Sequence, residues 1–169
     1  MSLKKFSKVA VLRGGVSDEK EISIMTANQV FETLKTRYNI KIIDVTDNCE
    51  KFISDLITYE PDKIFNCLHG FFGEDGQVQS ILNYLKIPYT HSGVLASSLA
   101  MNKVISKKFY QSLGVKCPKI FENLDVNKIK FPVIVKPVCG GSSNGIIKIE
   151  SIKSLNKIIK ELTSKHLMI

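Results

Sequence analysis

Residues 8–34 read KVAVLRGGVSDEKEISIMTANQVFETL, and this stretch decides the fold. Lys8 to Arg13 is an apolar run of strand length, and Gly14-Gly15 ends it in a turn that glycine tolerates freely. Ser17 or Asp18 can cap the helix that follows. Apolar residues at helical spacing predict the buried stripe of that helix: Ile22, Met25, Ala27, Val30, Phe31 and Leu34. The stretch therefore predicts a strand, a tight turn and a helix.

The same alternation continues toward the carboxyl end. Strands are predicted at residues 40–45 and 63–68, and helices at residues 49–58 and 77–86. Alternating strands and helices form a parallel sheet with helices on its faces. The loop Gly70-Phe-Phe-Gly-Glu-Asp-Gly76 follows a strand, and open α/β sheets bind ligands at that edge. The sequence therefore places a candidate ligand site beside this loop.

The pattern changes between residues 114 and 118. The elements predicted beyond this point are strands at 119–121, 131–136 and 146–150, a loop at 139–145, a helix at 152–163 and a strand starting at 166. We predict an α/β protein with two parts. Residues 1–116 form a parallel-sheet domain, and residues 117–169 form an α+β part whose last strand we expect to be cut short.

The composition is typical of a folded protein of the cytoplasm. Hydrophobic residues make up 44% of the chain and charged residues 24%. The longest apolar runs, such as Phe131 to Val135, fall far short of the ~20 residues that span a bilayer. Residues 1–8 contain no apolar stretch that resembles a signal peptide. We therefore expect a cytoplasmic location and no membrane association.

The net charge of +8 comes from scattered lysines. Only two cations, Arg13 and Arg37, are arginines, the residue type that most often reads bases and grips phosphates. We therefore expect no nucleic-acid partner. The cysteines lack the paired spacing of zinc or redox motifs, and we expect reduced, mostly buried thiols at Cys49, Cys67, Cys117 and Cys139.

The turn at Gly14 to Ser17 permits two interpretations. Free amides at the start of a helix can hold an anion, but tight strand-to-helix turns are also routine in this fold class. Glu19 lies in the first helical turn, where a carboxylate ordinarily complements the helix dipole. Its position beside the sheet edge equally suits a substrate ammonium group.

A second glycine-rich segment, Gly140 to Gly145, is predicted between two strands. It cannot be a P-loop, which requires a following helix and a lysine after the last glycine. The segment is either a surface hairpin or a lid whose amides and hydroxyls close over phosphates. Lys136, on the preceding strand, favours the lid because a cation there can neutralise phosphate charge.

His69 and Lys103 are the remaining candidates from the residues themselves. His69 ends a predicted strand and is either a structural histidine or part of the ligand-binding edge. Lys103 has the pattern of an ordinary exposed helix lysine.

Together these segments resemble the D-alanine–D-alanine ligases of the ATP-grasp superfamily. The resemblance covers nearly the whole chain in the family's order. The segments that carry it are Gly14-Gly-Val-Ser-Asp-Glu-Lys-Glu-Ile-Ser23, Leu68-His-Gly-Phe-Phe-Gly-Glu-Asp-Gly76, Tyr89-Thr-His-Ser-Gly93, Ser98-Leu-Ala-Met-Asn-Lys103, Pro132-Val-Ile-Val-Lys-Pro137 and Gly141-Ser-Ser-Asn-Gly145. The resemblance implies a Rossmann-like amino-terminal domain and part of an ATP-grasp domain.

The resemblance also implies roles for the candidates. Glu19 would bind the ammonium group of the first D-alanine, and Ser142 would join a hydrogen-bond network that links Glu19 to the lid. His69 would lie against the carboxyl group that is activated. Lys103 and Lys136 would bind ATP phosphates, and the amides of Gly141, Ser142 and Ser143 would close over the terminal phosphate.

The implied reaction is the ATP-dependent ligation of two D-alanines through an acyl phosphate, for peptidoglycan synthesis. Its implied cofactors are ATP and Mg2+, with the metal ligands beyond residue 169, and its implied assembly is a homodimer. We therefore expect residues 1–169 alone to lack ligase activity. The alternatives are another ATP-grasp ligase, such as a D-alanine–D-lactate ligase, and a non-catalytic remnant of the fold.

Overall fold

A computed structural model describes residues 8–121, 129–161 and 167–168 of the protein. The chain forms two compact units, Met1–Ser98 and Leu99–Ile169. Within the described ranges no helix combines the length and the apolar character needed to cross a membrane.

The first unit is a parallel α/β sheet. Its elements are β1 (Lys8–Gly14), α1 (Lys20–Leu34), β2 (Asn39–Val45), α2 (Cys49–Tyr59), β3 (Lys63–Asn66) and α3 (Gln77–Tyr84). The strand order is β2-β1-β3, with both pairings parallel. Tyr89 adds a parallel bridge beside Ile64 of β3. The predicted alternation of strands and helices is confirmed.

Helices cover both faces of this sheet because the side chains of β1 alternate between them. Ala10 and Leu12 are buried in the core that contains Phe52 of α2 and Leu82 of α3. Val11 points to the opposite face, where it packs in a cluster with Ala27 of α1 and Cys67. The sheet therefore has a core on each side.

The predicted face of α1 is wrong in part. Ile22 and Met25 are 49% and 60% exposed, whereas Ser23 and Ala27 are fully buried. The Ser23 hydroxyl accepts a 2.9 Å hydrogen bond from the Gly14 amide, and this bond turns the small residues toward the sheet. Neither Ser17 nor Asp18 is the N-cap residue, because the helix begins after Glu19.

The second unit contains an antiparallel sheet. The helix α4 (Val94–Met101) spans the division between the units, and it is followed by α5 (Lys103–Ser112), β4 (Val133–Pro137), β5 (Ile147–Ile149), α6 (Ile152–Glu161) and β6 (Leu167–Met168). The strand order is β5-β4-β6, with antiparallel pairings. Leu155 of α6 is buried against Val133, Val135 and Ile149.

One of the sequence expectations differs from these elements. Residues 119–121 are not a strand, and Phe121 instead packs its side chain against the core of the second unit. The helices α4 and α5 are separated at Asn102, whose side chain accepts hydrogen bonds from two amides of α5. The helix α6 ends at Glu161, and the predicted helix end at 163 lies outside the described residues.

The start of the last strand at residue 166 also lies outside the described residues, although β6 follows it directly. The predicted domain boundary after residue 116 falls inside the second compact unit. One reason is that the Lys103 amide donates a 3.0 Å hydrogen bond to the Val138 carbonyl, which ties the start of α5 to the segment after β4.

The expectation of mostly buried cysteines is wrong. Only Cys67 is buried, Cys117 is half-buried, and Cys49 and Cys139 are exposed. Cys49 and Cys139 lie at a helix start and in a loop, where the side chains reach solvent. Burial raises the pKa of the Cys67 thiol to about 11.

We expect thiol alkylation to separate Cys67 from the exposed cysteines. The thiolate is the reactive form, and at about pH 8 only about one Cys67 thiol in a thousand is ionised. Peptide mass spectrometry should find Cys49 and Cys139 alkylated in the folded chain and Cys67 alkylated only after denaturation. Equal labelling rates for Cys67 and Cys49 in the folded chain would contradict this account.

Candidate active site

The turn after β1 is held by hydrogen bonds within the protein. Gly14 and Gly15 have φ angles of 87° and 89°, which residues with a side chain rarely adopt. The Gly15 amide donates to the Val45 carbonyl at 2.8 Å, and the Gly14 amide is already used by Ser23. Because both glycine amides are engaged, the geometry favours a structural turn over an anion site.

Ser17 connects the exits of β1 and β3. Its hydroxyl donates a 2.7 Å hydrogen bond to the carbonyl of His69 and accepts a 3.2 Å hydrogen bond from the amide of Glu19. The structure therefore brings the two candidate substrate-binding residues of the first unit to the same edge of the sheet, which is the edge expected to bind ligands.

The Glu19 carboxylate lies beside Gly70. A Cβ atom added to Gly70 would be 3.1 Å from Glu19 Oε1 and 3.3 Å from Ser17 Oγ. Gly70 also has a φ angle of 66°. Glycine at this position therefore leaves room for the carboxylate against the backbone of the loop, next to His69.

His69 has one ring nitrogen that lacks a partner among the described residues. Its Nε2 atom is buried and makes no hydrogen bond there, while Nδ1 lies 3.9 Å from Glu74 Oε1. The other carboxylate oxygen of Glu74 accepts a 2.7 Å hydrogen bond from the Gly70 amide. An unpaired buried polar atom costs about 1–3 kcal/mol, so a hydrogen-bonding group from a ligand would stabilise this ring.

The loop from Gly70 to Gly76 is anchored at the Gly73 carbonyl. Asn66 Nδ2 and Gln79 Nε2 donate hydrogen bonds to this carbonyl at 3.1 Å and 2.8 Å. A Cβ atom on Gly73 would lie only 2.4 Å from Leu68 Cβ, so the backbone here has no space for a side chain. The anchor fixes the position of His69, which lies between Asn66 and Gly73 in the chain.

His91 belongs to this cluster, and the sequence analysis did not predict it. Its Nδ1 atom lies 3.0 Å from Asn66 Nδ2, and its backbone has a φ angle of 101°. Burial lowers the pKa of His91. The neighbouring His69 lowers it further, while Glu74 and a backbone hydrogen bond at Gly73 raise it. Neither Asn66 nor His91 has a local sequence pattern that marks it, because they meet only when β3 pairs with the segment around Tyr89.

In the second unit, Lys136 is close enough to Lys103 to disfavour its charge. Lys103 Nζ donates a 2.6 Å hydrogen bond to the Gly140 carbonyl at the start of the predicted lid. Burial lowers the pKa of Lys103, the charge of Lys136 lowers it further, and Cys139 raises it. The structure thus brings the two candidate phosphate-binding lysines together.

Lys107 is a third cation of this cluster that the sequence analysis missed. It follows Lys103 by one helical turn, and this spacing is the signal that could have identified it. Burial lowers its pKa and Lys136 lowers it further, while Cys117 opposes the shift. Because Lys136 disfavours the charges of Lys103 and Lys107, an anion bound here would stabilise these charges.

The predicted lid residues form an exposed turn. Ser142 and Ser143 have positive φ angles of 49° and 60°, and the Asn144 amide donates a 3.1 Å hydrogen bond to the Gly141 carbonyl. A turn of this kind can gather backbone amides around an anion such as a phosphate group.

No group of three or more His, Cys, Asp or Glu side chains suited to a metal ion occurs in the described parts of the chain.

The sequence is similar to known D-alanine–D-alanine ligases. The family model described as D-ala D-ala ligase C-terminus matches residues 95–169. The D-alanine–D-alanine ligase of Pelagibacter ubique is 42% identical over 91% of this chain and 57% of that relative. The corresponding enzyme of a Chelativorans species is 43% identical over 85% of this chain and 47% of that relative. Over most of its length, the chain is therefore similar in sequence to members of the D-alanine–D-alanine ligase family.

Solved structures of this family share the fold of the chain. The D-alanine–D-alanine ligase of Bacillus anthracis superposes with a TM-score of 0.81 at 34% identity, over 96% of this chain and 56% of that one. The same enzyme complexed with ATP gives a TM-score of 0.80 at 32% identity, over 98% of this chain and 56% of that one. The predicted fold class, a Rossmann-like parallel sheet followed by an α+β part of the ATP-grasp type, is confirmed. The chain spans about half the length of the family members it matches.

Proposed function

We propose that the chain provides the first D-alanine site and part of the ATP site of a ligase that joins two D-alanines for peptidoglycan synthesis. The observation that carries this proposal is the meeting of Glu19, Gly70 and His69 at one edge of the parallel sheet. Relatives at about 42% identity are named D-alanine–D-alanine ligases, which supports the same substrate class.

The first D-alanine would bind at this edge through its two charged groups. The Glu19 carboxylate would hold the ammonium group, and His69 would donate a hydrogen bond to the carboxylate through the unpaired Nε2 atom. A polar group that becomes paired only in the complex contributes to binding without a competing internal contact.

ATP would bind at the lysine cluster of the second unit. Lys103 and Lys136 would neutralise phosphate charge, and the amides of Gly141, Ser142 and Ser143 would close over the terminal phosphate. Phosphoryl transfer needs mainly positioning and charge stabilisation, which cations and amides supply. We propose that Mg2+ accompanies ATP, and we assign it no ligand among the described residues.

In the proposed reaction, a carboxylate oxygen of the first D-alanine attacks the γ-phosphorus and the bond to ADP breaks. The amine of the second D-alanine then attacks the carbonyl carbon of the acyl phosphate. The amine loses a proton, inorganic phosphate leaves, and the peptide bond remains. A closed lid would keep water from hydrolysing the intermediate.

The test is product analysis with ATP, magnesium and D-alanine, using a protein in which this chain is continued to the length of the relatives it matches. We expect ADP release that depends on D-alanine, together with D-alanyl-D-alanine detected by mass spectrometry. L-alanine should support neither. ADP release without a dipeptide, or a depsipeptide formed preferentially with D-lactate, would replace this proposal with another activity. We also propose a cytoplasmic location, which cell fractionation tests, and a homodimer, which light scattering of the purified protein tests.

A further inference from the structure

We propose that His91 is a positioning residue that holds the loop from Gly70 to Gly76, and with it His69, only while its ring is neutral. The cluster that supports this inference consists of Asn66, Gly73 and His91, and all three belong to the first unit. The consequence for substrate rests on the proposed D-alanine site, whereas the effect on the loop does not.

The orientation of the Asn66 amide determines which form of His91 fits. Asn66 Oδ1 accepts a 3.0 Å hydrogen bond from the Leu68 amide, and Nδ2 donates to the Gly73 carbonyl. These two bonds point the amino group of Asn66 at His91 Nδ1, 3.0 Å away. An amino group only donates, so Nδ1 must accept, and the ring proton must be on Nε2.

Protonation of His91 Nδ1 would place its N–H group against an N–H group of the Asn66 amide. Asn66 is 2% exposed, so its amino group cannot turn to water instead. To avoid the clash, Asn66 would give up its bond to Gly73 or to Leu68. Either loss removes a hydrogen bond that holds the segment containing His69 in place.

The backbone conformation of His91 indicates that the surrounding contacts hold this residue in place. A φ angle of 101° is unfavourable for any residue with a Cβ atom, and such conformations persist where the surrounding contacts outweigh the strain. Glycine would adopt this angle freely but would lack the acceptor that Asn66 meets.

The titratable groups that act on His91 are Glu74 and His69. Burial and His69 favour the neutral ring, while Glu74 and a backbone hydrogen bond at Gly73 favour the charged ring, and the net result is a lowered pKa of His91. The folded protein therefore binds this proton more weakly than the unfolded chain. The neutral ring contributes its full share of folding stability above the ordinary histidine pKa of about 6.5. This contribution is lost as the pH falls toward the lower pKa that His91 has in the folded protein.

The experiment compares the wild-type chain with His91→Asn and His91→Gly. Asparagine tolerates positive φ angles and places an acceptor oxygen near the position of Nδ1, but it does not titrate. Glycine relieves the backbone and removes the acceptor. NMR of the isotope-labelled 169-residue chain follows the His91 ring and the amides of Gly70 and Gly73 between about pH 8 and about pH 5, and titration with D-alanine gives its affinity.

In the wild type, the amides of Gly70 and Gly73 should shift together with the His91 ring, and His91→Asn should remove this shift. We expect the affinity for D-alanine to fall on acidification by about threefold to tenfold more in the wild type than in His91→Asn, the range of one net hydrogen bond. His91→Gly should bind weakly at both pH values.

Amide shifts with the same pH profile in the wild type and His91→Asn would overturn the inference. If the amides follow His91 but no form binds D-alanine, the positioning role of His91 stands and the proposed substrate site is wrong. If His91→Gly fails to fold, the comparison of the wild type with His91→Asn still decides the question.

Discussion

Replacing Glu19 with Gln should raise the KM for the first D-alanine in the intact protein by about 30-fold or more. Loss of a carboxylate that pairs with a buried ammonium costs about 2–5 kcal/mol, and about 2 kcal/mol corresponds to this factor. We expect the lower end because Glu19 is only half-buried. Steady-state kinetics with each substrate varied in turn measures the effect, and the KM for ATP should change little.

Glu21→Gln is the matched control for this prediction. Glu21 lies on the first turn of the same helix and is exposed, so its replacement removes the same charge from the same helix end. It should leave both KM values close to those of the wild type. A Glu19→Gln variant that raises the KM for ATP while its D-alanine KM is unchanged would exclude Glu19 from the ammonium site.

Replacing Lys136 with Met should weaken ATP binding by about 10-fold to 100-fold without lowering the thermal stability of the protein. A hydrogen bond to a charged partner contributes about 1.5–3 kcal/mol, which gives the expected loss of affinity. In the free protein the charge of Lys136 disfavours the charges of Lys103 and Lys107. Removing it relieves this repulsion, so Tm should stay the same or rise.

Calorimetry of ATP binding and a thermal melt of each variant check this pair of effects. Lys148→Met is a suitable control, because Lys148 is an exposed cation on the neighbouring strand β5 and pairs with Glu150 at 2.9 Å. It should bind ATP like the wild type. If Lys136→Met binds ATP normally, or loses affinity only in step with a lower Tm, Lys136 has a structural role and does not contact phosphate.

Local patterns were sufficient to predict the sheet of the first unit. The apolar runs at β1, β2 and β3 and the helices between them lie close to their predicted positions, because each pattern describes one face of one element. The buried face of α1 could not be read in this way. It depends on the hydrogen bond between the Gly14 amide and the Ser23 hydroxyl. Because Ser23 is polar, a pattern of apolar residues does not predict that it is buried.

The candidate site shows the same limit. Glu19 and His69 were predicted because they stand at the carboxyl end of the sheet, a property of the topology. Glu74, Asn66 and His91 were not, because their roles arise from contacts between segments that are distant in sequence. Even the strand predicted at residues 119–121 fails for this reason, since a strand exists only when a partner pairs with it.

The central position of β1 gives it a particular part in unfolding. Its backbone is bonded to a strand on either side, and its alternating side chains enter the cores on both faces of the sheet. A fluctuation that opens β1 must therefore break both ladders and expose both cores at once. Helices on opposite faces thus share one cooperative transition, and the amides of β1 should exchange with solvent only through it.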